Sequence, residues 1–354
     1  MIYFFYIVLM LGVCYAGSQR IHSASKVYRV LACALYILFV GLRSPLVGVD
    51  SHTYYEHFYT FGEFGCNFVE VGFDYLNRLL YHAGFDYTSM FLACIALTAI
   101  PMFFALERCE NYFVSASMLY ILSFVTVVNG IRQAIVCGLF LFAYRFIEER
   151  RLIPYLAIIV FGFFFHASAL ILIPLYFIVN LSFSNRTYLI VFLASLVFIF
   201  IPASSLVSGI MKYLDFGVRN YGELHSDMKV VGASTFGFIY SLTLRSIILY
   251  MMLKSGYFKK NIVLANLMFL ALVSPNIGYS LPLFSRITMY FAWFIFLGLP
   301  QLVRLFSNGM RNKMQYAVIV LVFLYSVGYI NGITSTQNRV WPYTFWVEYK
   351  DIYR

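Results

Sequence analysis

The sequence predicts an all-α protein, a polytopic integral membrane bundle of about twelve helices (about 10–12). Hydrophobic residues make up 62% of the 354-residue chain and charged residues only 11%, whereas about a quarter of the residues in a soluble domain are charged. The mean hydropathy is +0.81. Helices are the expected spanning form because each satisfies its own backbone polar groups in lipid.

Polar breaks divide the chain into apolar stretches that we interpret as membrane spans. Two spans are expected within Tyr112–Ile147 and two within Leu152–Leu181. The single spans are Ile2–Ala16, Val30–Leu42, Tyr87–Leu106, Tyr188–Ile201, Thr235–Leu253, Ile262–Tyr279, Ile287–Val303 and Gln315–Ile330.

Charge predicts which side of the membrane each connection occupies. The segment Gly17–Arg29 is basic and contains no acid, which is typical of a cytoplasmic loop. The long segment Arg43–Asp86 is mostly acidic, and we expect it outside. Residues 1–354 are therefore predicted to form one transmembrane domain, with external loops at about 43–86 and 202–234 and an external tail at 331–354.

The stretch Tyr112–Ile147 is too long for one crossing and about long enough for two. Asn129-Gly130 is a natural break, since glycine tolerates non-helical angles and asparagine is a good N-cap. Arg132 then lies in the first turn of the second helix, near one membrane face. It is either a functional residue or an anchor that extends its charge to the lipid headgroups.

Leu152–Leu181 fits one long tilted helix or two short ones, and charge sidedness favours the pair. His166 then lies at the turn. With this topology, Arg43, Arg132, His166 and Arg286 all reach the external face. Several arginines on one face suit a phosphate or diphosphate, because the planar guanidinium binds such groups through two hydrogen bonds. The alternative is four unrelated headgroup contacts.

Composition also excludes several kinds of site. The net charge of +10 is interpreted as topology and lipid contact, and no nucleic-acid partner is expected, since the chain has no basic domain in water. The six cysteines form no CxxC motif and are expected to be small buried residues. No acidic pair or cluster indicates a metal site, and no cofactor is expected.

Three motifs resemble those of the EpsG-like family, a group of Wzy-type bacterial polysaccharide and O-antigen polymerases. The first combines Gly41-Leu42-Arg43, Gly48-Val49-Asp50 and Tyr54-Tyr55. The second is Asn129-Gly130-Ile131-Arg132-Gln133-Ala134, and the third is Phe165-His166-Ala167-Ser168-Ala169-Leu170. These motifs span about Gly41–Pro174, and Phe284-Ser285-Arg286 is compatible with the family.

The resemblance implies glycosyl transfer at the periplasmic face of a multi-pass protein in the bacterial inner membrane. Donor and acceptor would be glycans linked to undecaprenyl diphosphate, in O-antigen, capsular or exopolysaccharide synthesis. Membrane lipids, a flippase and a chain-length regulator are the other implied partners.

Site roles follow from the same resemblance. Arg43, Arg132 and Arg286 would bind the diphosphate. His166 is favoured as the base, with Asp50 placing Arg43 or a sugar hydroxyl, and Asp50 is the alternative base. Four residues are supporting candidates: Arg245, Asn129, Gln133 and Tyr54. Arg245 either grips a lipid phosphate or forms an internal ion pair.

Two other functions remain open at this point. A flippase for the same lipid-linked sugars would need charges along a path through the membrane, where Arg245 is nearly alone. Another integral-membrane transferase, such as an acyltransferase, would also use histidine and arginine.

Glu70, Asp74 and Arg78 are expected to form a solvated loop network. The aromatic cluster Trp341–Trp346 is expected to be an interfacial belt.

Overall fold

The computed structural model describes residues 1–19, 22–67, 69–200, 235–280, 282–302, 305 and 324–348. Within these ranges the structure is helical, apart from turns and one antiparallel bridge between Arg43 and Phe345. The all-α prediction is confirmed for this part of the chain. Two compact units are present: unit 1 contains Met1–Tyr176 and Asn308–Arg354, and unit 2 contains Phe177–Ser307.

Unit 1 contains most of the helices, joined by short connections. Its helices are α1 (Ile2–Ser18), α2 (His22–Gly41), α3 (Ser51–Phe61), α4 (Val71–His82), α5 (Tyr87–Leu106), α6 (Tyr112–Leu122), α7 (Phe124–Asn129), α8 (Ile131–Glu148) and α9 (Leu152–Phe163). A 3-10 helix over Ala167–Leu172 follows, and the short α10 (Leu175–Ile178) contains the last residues of this part of unit 1 and the first of unit 2. Residues 324–334 are also helical.

Four helical segments in the described residues are long and apolar enough to cross a membrane. They are Ala24–Gly41, Tyr87–Leu106, Tyr112–Asn129 and Gly237–Ser255. The second has the same bounds as a predicted span, with a mean hydropathy of 2.2. The total of about twelve spans stays a prediction, and most of the expected span Gln315–Ile330 lies outside the described residues.

Helix α5 packs between α2 and α8 in the core of unit 1. Its start is fixed by Asp86, whose Oδ1 accepts a hydrogen bond from the backbone N–H of Thr88, 3.1 Å away. Helices α5 and α8 approach so closely that a Cβ on Gly138 would lie 2.3 Å from the carbonyl oxygen of Thr98. Only glycine fits this position, which sets how far α8 stands from α5.

Three loops predicted to be cytoplasmic meet at one end of unit 1. Arg29 contacts Glu107 at 3.1 Å, and Arg108 contacts Glu149 at 2.8 Å. Arg43 and Arg132 lie at the opposite ends of α2 and α8 from these pairs. The three loops therefore lie on the same side of unit 1, as the charge pattern predicts. The assignment of that end to the cytoplasm stays a prediction.

The predicted external loop at 43–86 contains the two amphipathic helices α3 and α4, which were not predicted. The break at Asn129-Gly130 is confirmed, but Gly130 occupies the N-cap position of α8. The pair of short segments within Leu152–Leu181 is also confirmed, with His166 immediately before the 3-10 helix.

Unit 2 contains α11 (Asn185–Ser195), a 3-10 helix (Leu196–Phe200), α12 (Thr235–Ser255), α13 (Tyr257–Lys260), α14 (Ile262–Ser280) and α15 (Pro282–Leu302). Helices α14 and α15 form its main packed pair. The predicted external loop Pro202–Ser234 lies outside the described residues.

Candidate functional site

Glu70 occupies the N-cap position of α4, yet its side chain does not cap that helix. The carboxylate instead contacts residues of neighbouring elements. The backbone at the start of α4 lies close to the end of α9. The N–H of Gly72 donates to the carbonyl of Phe164 at 2.8 Å. A Cβ on Gly72 would lie 2.7 Å from that same oxygen, so glycine permits the approach.

The Glu70 carboxylate joins three parts of unit 1. Its Oε1 lies 3.1 Å from Nδ1 of His166 and accepts the backbone N–H of Ala167 at 3.0 Å. Its Oε2 accepts a hydrogen bond from Nη1 of Arg132, with which it forms an ion pair. The residue before α4, a residue of α8 and the turn after α9 thus meet at one carboxylate. We call Glu70, Arg132 and His166 the carboxylate cluster.

The carboxylate cluster is mostly shielded but still reachable. The side chains of Glu70, His166 and Arg132 are 18%, 16% and 24% exposed. Burial by itself raises the pKa of Glu70, but the hydrogen bond with His166 and the charge of Arg132 outweigh it, and the pKa falls to about 2. Glu70 is therefore ionised near neutral pH.

Aromatic side chains line the cluster beside Arg132. The guanidinium carbon lies 5.9 Å from the ring centre of Tyr54 and 5.7 Å from that of Phe73, at the outer limit of cation–π contact. Tyr54 and Phe73 pack edge to face at 5.6 Å, and both are buried. His57 packs on Phe73, and burial lowers its pKa. The guanidinium therefore has an apolar boundary that limits its contact with water.

Asn129 ties the break between α7 and α8 to the segment before α3. Its Oδ1 accepts the N–H of Val49 at 2.7 Å, and does not cap α8 as expected. Asp50 follows Val49, occupies the N-cap position of α3 and acts electrostatically on Tyr54. Gln133 is buried in the first turn of α8. The first two motifs of the family resemblance therefore meet in space.

Arg43 is completely buried, contrary to the expectation of an arginine open to a diphosphate. Its Nε donates to Ser51 Oγ at 3.2 Å and its Nη1 donates to the carbonyl of Val40 at 2.7 Å. Its guanidinium carbon stands 4.0 Å over the ring of Phe91. In this arrangement Arg43 joins the end of α2 to the start of α3. A diphosphate could reach the guanidinium only if the residues that bury it moved away.

The tail packs against this same segment and is not simply an interfacial belt. The N–H of Ser44 donates to the carbonyl of Thr344 at 2.9 Å, and the N–H of Gly48 donates to the carbonyl of Arg339 at 2.7 Å. Tyr343 is buried, and its ring stacks on Phe39 at 4.6 Å. The tail holds the connection between α2 and α3 in place, although Trp341 remains 55% exposed.

Arg245 and Arg286 belong to unit 2. Arg245 is buried, and its Nη1 donates to the carbonyl of Leu272 at 2.8 Å and to Asn276 Oδ1 at 2.6 Å. Both of these partners are neutral oxygens, and the internal ion pair that we considered stays a prediction. Arg286 is exposed near the start of α15. The diphosphate-binding role of Arg286 and the supporting role of Arg245 stay predictions.

Glu70 is the site residue that sequence reasoning missed. The expected solvated network of Glu70, Asp74 and Arg78 is wrong for Glu70, which instead pairs with Arg132 and His166. Asp74 does serve the loop, accepting the N–H of Cys66 at 2.8 Å. One signal was available: Glu70 stands alone between apolar neighbours, where an acid usually has a specific partner.

The cluster offers a fixed cation, an imidazole and an ionised carboxylate in a mostly shielded location. Such a set can bind an anionic group and accept a proton beside it.

Among models of known protein families, the one described as the EpsG family matches residues 26–345 of the chain. No curated protein and no solved structure matches the chain.

Proposed function

Because this chain belongs to the EpsG family, whose members are polysaccharide polymerase-like membrane proteins, we propose that it polymerises lipid-linked oligosaccharide repeat units. Its substrates would be glycans carried on undecaprenyl diphosphate, and its product an O-antigen, capsular or exopolysaccharide chain. The reaction would take place at the outer face of a bacterial inner membrane.

The observation that carries this proposal is the meeting of Arg132 and His166 at one carboxylate. The two residues belong to separate motifs of the family resemblance, and Glu70 contacts both. A glycosyl transfer from a diphosphate needs a cation near the leaving group and a base near the acceptor hydroxyl. Arg132 and His166 have the chemistry for these two roles.

In the proposed reaction, the acceptor hydroxyl oxygen attacks the anomeric carbon of the first sugar of the donor glycan. The bond between that carbon and the diphosphate oxygen breaks, and its electron pair stays on the lipid diphosphate. The hydroxyl proton passes to His166. Arg132 stabilises the negative charge that grows on the leaving diphosphate, so it favours the transition state over the bound substrate.

Asp50 remains the alternative base in this proposal. It lies at the start of α3, close enough to Tyr54 to affect it electrostatically. His166 is favoured because its side chain is already held by the carboxylate that also binds Arg132. Loss of the true base should reduce chain extension by about 10²-fold or more.

The test begins with the glycan lipids of a deletion strain. A polymerase defect leaves one repeat unit on the lipid carrier at the outer face, whereas a flippase defect leaves it inside the cell. Complementation with wild-type protein, His166→Ala and Asp50→Asn, at matched protein levels, then identifies the base. Exposed Arg78→Ala on α4 is the matched control. Polymer of wild-type length from both site variants would overturn these assignments.

A further inference from the structure

We propose that Glu70 is a positioning residue, which holds His166 with its proton on Nδ1 and its lone pair on Nε2. This inference rests on the proposed function, in which the imidazole accepts the proton of the sugar hydroxyl. Glu70 itself touches neither the sugar nor the diphosphate in this role.

The hydrogen bonds at Glu70 determine where the imidazole proton lies. Oε1 accepts the N–H of Ala167, and Oε2 accepts from the guanidinium of Arg132. An ionised carboxylate only accepts hydrogen bonds, so the 3.1 Å contact with His166 needs a proton on Nδ1. A neutral imidazole has one N–H, and Nε2 is then the nitrogen with the free lone pair.

The same contacts fix the orientation of the ring. Ala167 directly follows His166, so Oε1 is bound both to the imidazole and to the backbone beside it. Arg132 holds the second oxygen and opposes rotation of the carboxylate. This support matters for a general base, because it can accept a proton only in the correct tautomer and with its free nitrogen directed at the hydroxyl.

Nε2 is available for this role. In the part of the chain that the structure describes, the hydrogen bond of the His166 ring is made by Nδ1. The side chain is 16% exposed, so a substrate hydroxyl has a route to the ring.

Four variants test the proposal in cells: His166→Ala, Glu70→Ala, Glu70→Gln and the double alanine variant. We expect Glu70→Ala to reduce chain extension almost as much as His166→Ala, by about 10²-fold. The double variant should lose little more, because Glu70 acts through His166. Glu70→Gln should retain more activity than Glu70→Ala, since its amide oxygen can accept from Nδ1 and Ala167. Glu63→Gln, on the same loop and exposed, is the matched control.

A second measurement separates this role from a merely structural one. Nitrogen NMR of histidine-labelled full-length protein in lipid reports which ring nitrogen carries the proton, and His166→Gln assigns the signal. We expect protonated Nδ1 in the wild type and in Glu70→Gln, and a mixture of tautomers in Glu70→Ala. A wild type with its proton on Nε2 would overturn the proposal.

The outcomes distinguish this inference from the proposed function. An active His166→Ala would remove the proposed base, whatever Glu70 does. An inactive His166→Ala with a fully active Glu70→Ala would leave the base in place and reject only the role of Glu70. Activity losses that multiply in the double variant would likewise show that Glu70 acts independently of His166.

Discussion

Oε1 of Glu70 lies 3.1 Å from Nδ1 of His166, although 96 positions separate the two residues in the sequence. The contact depends on the backbone between α4 and the end of α9, where Gly72 donates to Phe164. A polar loop outside the predicted spans therefore supplies the carboxylate of a site whose other members come from apolar segments.

The first prediction concerns the dependence of stability on pH. The pKa of Glu70 falls from 4.5 to about 2 in the folded protein, which corresponds to roughly 3 kcal/mol of stability. Because the folded pKa is the lower one, this stability is complete above pH 4.5 and is lost as the pH falls towards 2. Wild-type protein should thus lose more of its thermal stability over this interval than Glu70→Gln. Equal losses in thermal unfolding of purified protein would contradict the ion-pair argument.

The second prediction is that Gly72→Ala impairs polymerisation. The added methyl group would lie 2.7 Å from the Phe164 carbonyl oxygen, so α4 must move and carry Glu70 away from His166. Without this support the imidazole of His166 is misplaced, and a misplacement of about 1 Å can cost about 10²-fold in rate. Gly12→Ala is the matched control, since nothing lies within 4 Å of its added Cβ. Polymer length and single-repeat lipid are measured for both variants, and wild-type polymer from Gly72→Ala would contradict the packing argument.

Hydrophobic runs and charge were enough to predict the helical class and several helix bounds, including Tyr87–Leu106. Motifs in three separate segments indicated Arg132 and His166 as candidate site residues, because family resemblance records residue types at positions distant in sequence. The sequence did not predict the partner of either residue. A single acid in a loop has many possible partners, and only the approach of Gly72 to Phe164 makes the contact of Glu70 with His166 specific.

The burial of Arg43 was equally hard to predict. An arginine at the end of an apolar run is expected to extend towards headgroups or a ligand. In the structure, the tail pairs with the chain at Arg43 through the bridge to Phe345. That long-range pairing between residues 302 positions apart has no local signature in either segment.

The third prediction tests this role of the tail. Tyr343→Ala removes a buried ring that stacks on Phe39 at 4.6 Å and a hydroxyl that donates to the Phe39 carbonyl. The expected destabilisation is about 3–5 kcal/mol, as for other large buried aromatic side chains. Val347→Ala, at a side chain that is 49% exposed, should change the unfolding free energy by no more than about 0.5 kcal/mol. Thermal unfolding in detergent compares them, and equal shifts would argue that the tail is not part of the core.

The fourth prediction concerns topology. Thr60 is exposed on α3, and Glu110 is exposed in the loop before α6, near the ion pairs at the other end of unit 1. After removal of the native cysteines, Thr60→Cys should react with an impermeant thiol reagent in whole cells. Glu110→Cys should react only after the cells are opened. The reverse pattern would place the carboxylate cluster on the cytoplasmic side and contradict the proposed site of polymerisation.

The last prediction separates the two explanations of Arg132. Lysine at this position keeps a positive charge for Glu70, so Arg132→Lys should be as stable as the wild type. If Arg132 binds a diphosphate, the variant loses the planar pair of donors and should be impaired nearly as much as Arg132→Ala. If Arg132 is a headgroup anchor, lysine should replace it freely.

Polymer length, accumulated single-repeat lipid and thermal stability are measured at matched protein levels, with Arg78→Lys as the control on exposed α4. A stable but inactive Arg132→Lys would support the diphosphate role, because the partner charge of Glu70 is retained while the ligand geometry is lost. A fully active Arg132→Lys would show that Arg132 is a headgroup anchor or a structural partner of Glu70. Another cation would then have to bind the diphosphate.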